Sequence, residues 1–224
     1  MRLSRLFYLP GFRERYSRLR YWLFTYYKDL NTSQDIASTS RISYSKENLG
    51  MYRSLRERVD FLVSWVGFTV RDFEKNILVV GPRFETELFG YQSLGFKRDR
   101  IFAVDTFSYS KRISLGNMHN LRYANETMQF VVCGWVIAYS SDVKKAISEL
   151  SRVLRIGGLL FLTFDVENGI TPISYWDAIA SSYEDGPISS LLQSEFELYS
   201  QFIGKTSWSS EKDIVALVLK KKNP

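Results

Sequence analysis

Asp105 directly follows the apolar run Ile101–Val104. A carboxylate at the carboxyl end of a buried strand can accept hydrogen bonds from both hydroxyls of a ribose. The same position also suits a residue that simply turns the chain. Gly81 follows a second apolar run, Ile77–Val80, where a glycine lets backbone come close to a ligand. Gly134-Trp135 follow a third, Phe130–Cys133. There Trp135 either presents a π face to a bound cation or packs into the core. The chain has one histidine, His119, and one cysteine, Cys133. Centres that need two histidines are thereby excluded, no metal site is expected, and an internal disulfide is impossible. Cys133 reads as a small buried hydrophobe. One cysteine fits a reducing, cytoplasmic compartment.

The elements that must position these residues follow from periodicity. Val143, Ala146, Ile147, Leu150, Val153 and Leu154 fall on one face of a helix spanning Asp142–Arg155. Ser141 or Asp142 can cap its start, and Gly157-Gly158 are expected to end it. Phe130–Cys133 before it and Leu159–Phe164 after it read as strands covered on both faces. Strand, helix and strand in one direction make a right-handed βαβ unit. A first such unit occupies Lys75–Asp105: strand Ile77–Val80, turn Gly81–Glu87, helix Leu88–Leu94 ended by Gly95, and strand Ile101–Val104. Ile113–Leu115 reads as a third strand. Met51–Val66 is a helix, Ser174–Tyr183 and Ile188–Phe196 are short helices, and Glu197–Ile203 and Asp213–Leu219 are strands. The Lys220-Lys221-Lys222 tail reads as a solvated terminus.

Two phrases carry a resemblance. They are Gly116-Asn117-Met118-His119-Asn120-Leu121-Arg122-Tyr123 and the run Ala146–Gly158, AISELSRVLRIGG. Together with the flanking strands, residues 75–165 resemble class I S-adenosylmethionine-dependent methyltransferases, especially the bacterial small-molecule type. The resemblance implies a Rossmann-like, doubly wound α/β sheet of seven strands, mainly parallel with an antiparallel last strand. It implies S-adenosylmethionine as cofactor, Asp105 on its ribose, and Asn117-Met118 at its adenine. By their own chemistry Gly134 permits close approach to such a ligand and Trp135 either lines its pocket or packs in the core. The glycine-rich turn of the family departs here: only Gly81 remains, followed by Pro82, Arg83, Phe84 and Glu85. Either Glu85 or Glu87 replaces the missing carboxylate while Arg83 holds the cofactor's own carboxylate, or Arg83 and Glu85 form an exposed pair of little weight. In-line methyl transfer demands positioning and exclusion of water more than a base. If a hydroxyl is the acceptor, Tyr139, Asp165 and His119 are the nearest candidates for a base.

Charge is unevenly placed. Residues 1–30 hold seven Lys/Arg and two Asp/Glu, a net of +5 in a chain of net +6. The rest is near neutral, which argues against nucleic acid as partner of the core. Residues 1–48 read as a basic helical extension with a Ser/Thr-rich linker, and residues 49–224 as the methyltransferase-like domain. In the extension, Phe12–Leu30 reads as a helix with Phe12, Tyr16, Leu19, Leu23, Tyr26, Tyr27 and Leu30 on one face. Such a helix either contacts a membrane surface or lids the domain. The expected function is methyl transfer to a small-molecule or glycan-type acceptor. The alternatives are an inactive methyltransferase-like scaffold and a peripheral membrane protein docking through its arm.

Overall fold

A computed structural model describes residues 9–27, 31–32, 52–82, 84–167, 188–206 and 209–223. In chain order the elements are α1 (Pro10–Tyr27), β1 (Asn31–Thr32), α2 (Tyr52–Thr69), β2 (Ile77–Val80), α3 (Glu85–Leu94), β3 (Ile101–Asp105), β4 (Phe107–Ser108) and β5 (Ser114–Leu115). There follow β6 (Met128–Gly134), α4 (Val143–Val153), β7 (Leu154–Glu167), α5 (Ile188–Glu195), β8 (Phe196–Thr206) and β9 (Ser209–Lys221). The strands form a seven-stranded sheet of order β5-β3-β2-β6-β7-β9-β8, and β1 pairs separately with β4. The expected Rossmann-like α/β architecture is therefore present. Pairs β2–β3, β3–β5 and β6–β7 are parallel, while β9 runs antiparallel to both β7 and β8. The chain divides into two compact units, residues 1–117 and 118–224.

In the first unit, β2 is buried along its whole length, as its unbroken apolar run requires. Helix α3 begins at Glu85, three residues earlier than the apolar period suggests. The phenol oxygen of Tyr109 accepts from the Glu85 backbone N–H at 2.8 Å, so a distant loop supplies the cap that Phe84 cannot. Gly95 closes the helix as expected.

Helix α1 exists, but its packed face differs from the apolar stripe. Arg13, Ser17 and Tyr21 are buried, whereas Leu19 is 55% and Leu23 39% exposed. Arg13 Nη1 donates to the Phe89 carbonyl at 2.7 Å and to Ser93 Oγ at 2.9 Å. Tyr21 meets Phe84 and Tyr109 edge-on, with centroids 4.8 and 5.3 Å apart. Small Ser17 between them, within 3.3 Å of the Tyr109 hydroxyl, lets the helix approach closely. Directed hydrogen bonds and aromatic edges set the rotation of this helix. The expected residues Tyr26, Tyr27 and Leu30 lie outside the described side chains.

In the second unit, all six positions predicted for the apolar helix face are buried, five of them in α4 and Leu154 at the start of β7, and Asp142 Oδ1 accepts from Lys145 N at 2.9 Å as the cap of α4. Burying each such aliphatic side chain contributes roughly 1.5–3 kcal/mol. The helix stops at Val153, and Gly157-Gly158 lie within strand β7. Met128 pairs with Leu154, and Phe130 with Leu159, so a bulge takes up residues 155–158. Gly157 there has φ +72°, and a Cβ on Gly158 would lie 2.8 Å from the carbonyl oxygens of Arg155 and Gln129. The glycines therefore serve a sheet irregularity and not a helix end. The lysine tail is only partly solvated: Lys222 is exposed, but Lys221 is not. Lys221 is in β9, and its Nζ donates to the carbonyls of Ser151 and Leu154 at 2.9 Å, at the negative end of α4. The helix expected at Ser174–Tyr183 lies outside the described residues.

Candidate functional site

The carboxyl ends of β2, β3 and β5 gather the candidates of the first unit. Gly81 follows β2 with φ +71°, a left-handed conformation that only glycine adopts freely, and its N–H donates to the Val104 carbonyl at 2.8 Å. Asp105 ends β3. Its Oδ1 accepts from the Phe107 N–H at 3.2 Å and the Thr106 hydroxyl at 3.3 Å. These bonds make it a turn former and also fix the direction of the carboxylate. Asp105 pairs with Leu115 in parallel register, and the Gly116 N–H donates to the Asp105 carbonyl at 3.0 Å. A Cβ on Gly116 would lie 2.6 Å from Val104 Cγ2. The absence of a side chain at 116 thus brings the backbone that leads into Asn117 close against the end of β3. Asp105 and Asn117 are brought together; Arg83 lies outside the described residues.

Glu85 corrects the expectation of an exposed Arg83–Glu85 pair. It is fully buried, and both its oxygens lie 2.8 Å from Arg20 Nη1 of α1. Ser110 Oγ donates to the same carboxylate. Its carboxylate is thus engaged by α1 and by the β4–β5 loop. Glu87, one turn further, is 6% exposed and accepts from the Tyr91 hydroxyl at 2.9 Å. Burial pushes its carboxyl up to about 7; the Tyr91 bond opposes this and the nearby charge of Asp105 adds to it.

In the second unit, Gly134 ends β6 opposite Thr163. Trp135 follows with φ +54°, which is uncommon for a bulky residue. Its N–H donates to the Thr163 carbonyl at 2.8 Å and its indole Nε1 to Asp165 Oδ1 at 2.7 Å. Trp135 is 8% exposed. The two bonds fasten the ends of β6 and β7 together and hold the strained backbone. Asp165 is therefore joined to Trp135, whereas His119 Nε2 lies 2.7 Å from Ser140 Oγ, next to the 70% exposed Tyr139. The three proposed bases do not converge through any of these bonds. Met118 is half-buried at the start of this unit.

The Glu149/Arg152 pair within AISELSRVL has a structural role. Arg152 donates to both Glu149 oxygens, to the carbonyls of Leu121 and Tyr123, and to Asn125 Oδ1, all within 2.9 Å. Glu149 also accepts from the Leu121 N–H at 2.8 Å. The pair clamps the loop that follows Asn117-Met118.

One feature has no local signal in the sequence. A cavity of about 960 Å³ in the first unit is lined by Arg20, Arg98, Lys111 and Arg112 together with aromatic rings. Its residues come from three separated segments, and only their tertiary placement gathers them.

A methyltransferase-domain family model matches residues 95–162. A comparison with curated proteins finds no match. Among solved structures, the chain is similar to a candidate sarcosine dimethylglycine methyltransferase from Galdieria sulphuraria, at TM-score 0.55 and 13% identity over 92% of this chain and 98% of that one. It is similar to the PH0226 protein from Pyrococcus horikoshii OT3 at TM-score 0.53 and 13% identity, covering 75% and 91%. It is also similar to a geranyl diphosphate methyltransferase solved with geranyl diphosphate and sinefungin, at TM-score 0.51 and 12% identity, covering 75% and 78%. At such identities these structures establish the fold, and the family model supplies the domain. Residues 95–162 are thus similar to a methyltransferase domain, and they lie within a chain that has the fold of the solved methyltransferase structures.

Proposed function

We propose that this chain moves the methyl group of S-adenosylmethionine onto a small-molecule or glycan-type acceptor by in-line displacement. The observation that carries the reading is the pairing of Asp105 with Leu115 and Gly116, which lead into Asn117, at the carboxyl ends of β3 and β5. In this fold ligands bind beyond those strand ends. The residues present fit the cofactor there. Asp105, fixed by Phe107 and Thr106, would accept from the ribose hydroxyls. The Asn117 side-chain carbonyl would accept from the adenine amino group, and Gly81 would leave its turn open to close approach. The cofactor supplies an electrophilic methyl carbon, and the protein orients the acceptor and keeps water away. A hydroxyl acceptor would need a base, for which Tyr139, Asp165 and His119 remain the candidates. Calorimetric titration of S-adenosylmethionine and S-adenosylhomocysteine, with an Asp105→Ala variant alongside, tests the reading. Micromolar binding that the variant loses supports it. Absence of heat with both ligands overturns it in favour of an inactive scaffold.

A second reading concerns residues 1–30. Leu19, Trp22 and Leu23 are exposed on α1 beside exposed Arg15 and Arg18, a pattern suited to the surface of an anionic membrane. No helix among the described residues is long and apolar enough to cross one. Flotation with anionic liposomes should recover the wild type and lose a Leu19→Ser/Trp22→Ser/Leu23→Ser variant. Equal flotation of the two proteins removes this reading.

A further inference from the structure

We propose that the basic cavity of the first unit binds a phosphate monoester of an aromatic compound. Its rim and walls carry four cations, Arg20, Arg98, Lys111 and Arg112, against one carboxylate, Glu85. Arg20 is committed to that carboxylate. Among the described residues no carboxylate pairs with Arg98, Lys111 or Arg112. Three cations are thus gathered without an ion-paired carboxylate among the described residues. A monoanion would leave two of them uncompensated, and a phosphate monoester, close to a dianion at neutral pH, leaves about one.

The geometry of Arg112 is that of a held ligand-binding group. Its Nη2 donates to Gln92 Oε1 at 2.7 Å and its guanidinium lies 4.6 Å from the Phe89 ring centroid. That fixes a planar fork whose remaining N–H groups match phosphate oxygens. Burial is the largest influence lowering its pKa, and the Arg98 and Arg20 charges act in the same direction against that of Glu85. An anion in the cavity relieves this crowding. Exposed Arg98 and Lys111 complete the charge at the rim. Tyr16, Phe24, Phe89 and Tyr109 supply flat apolar walls for a ring. A volume of about 960 Å³ is ample for such a molecule.

Gly81, Asp105 and Asn117 do not line the cavity. The site is additional to the one assigned to the cofactor, and the proposal does not rest on methyl transfer. Its test is calorimetric titration of the full chain with phenyl phosphate, inorganic phosphate and phenol, each with and without saturating S-adenosylhomocysteine. Phenyl phosphate should bind more tightly than either fragment, and binding should weaken with added salt. An Arg98→Ala/Lys111→Ala variant, changed only at exposed positions, should bind it about tenfold less tightly, and Arg112→Gln should weaken it further. S-Adenosylhomocysteine should not compete. Phenol binding as tightly as phenyl phosphate would overturn the proposal. So would unchanged affinity in both variants, inorganic phosphate matching phenyl phosphate, or displacement by S-adenosylhomocysteine.

Discussion

Replacing Glu87 by glutamine should stabilise the protein at pH 8 and leave it nearly unchanged at pH 4. Glu87 lies in the first turn of α3, where the helix dipole favours a carboxylate by roughly 0.3–1 kcal/mol. Burial outweighs this and pushes its pKa from 4.5 to about 7. A rise of that size corresponds to roughly 3 kcal/mol. The sign follows from linkage. A raised pKa means the folded protein holds the proton more tightly than the unfolded chain. The stabilisation is complete below pH 4.5, declines as pH rises, and is gone above about pH 7. Above that pH the wild type must bury an ionised carboxylate. Glutamine is neutral at every pH and keeps an acceptor for the Tyr91 hydroxyl. Glu149 has the opposite dependence: its bond to Arg152 lowers its pKa, so its contribution is present at neutral pH and lost on acidification. Both proteins share Glu149, and its effect cancels in the difference. Urea unfolding of wild type and Glu87→Gln at pH 4, 6 and 8 should give a difference rising to about 2–3 kcal/mol. A pH-independent difference, or a Glu87→Gln variant less stable than wild type at pH 8, would refute the argument.

Arg20→Ala should destabilise the first unit by about 3 kcal/mol, because it leaves the Glu85 carboxylate buried without its cation. An Arg20→Met/Glu85→Leu double substitution should recover much of that loss in urea unfolding; strict additivity would deny the pair any coupling. Gly157→Ala should cost about 1–2 kcal/mol, the conformational penalty alone, since its Cβ would meet nothing within 4 Å. Gly158→Ala should lower the melting temperature further, as its Cβ would face two carbonyl oxygens at 2.8 Å. Equal melting temperatures for these two variants would contradict the bulge.

Patterns of burial along the chain were enough to define most elements. The five apolar positions of α4, the unbroken runs of β2 and of Phe130–Cys133 in β6, and Asp105 at a strand end are all legible without coordinates, because burial follows the helix and strand periods. The GNMHNL and AISELSRVLRIGG phrases carry the resemblance for a related reason: Glu149 and Arg152 clamp the loop following Asn117, so both phrases belong to one local structure.

What remained hidden was every choice of partner across the fold. The sequence cannot say that Glu85 takes Arg20, 65 residues away. Nor can it say that α1 turns Arg13 inward and Leu19 outward, since the Phe89 carbonyl and the Tyr109 ring become available only after folding. Gly157-Gly158 read as a helix stop, and only the pairing of Leu154 with Met128 makes them part of a bulge. The basic cavity is the extreme case. Its charges are scattered from residue 20 to residue 112, and a sequence pattern records spacing along the chain, whereas a binding site is made by proximity in space.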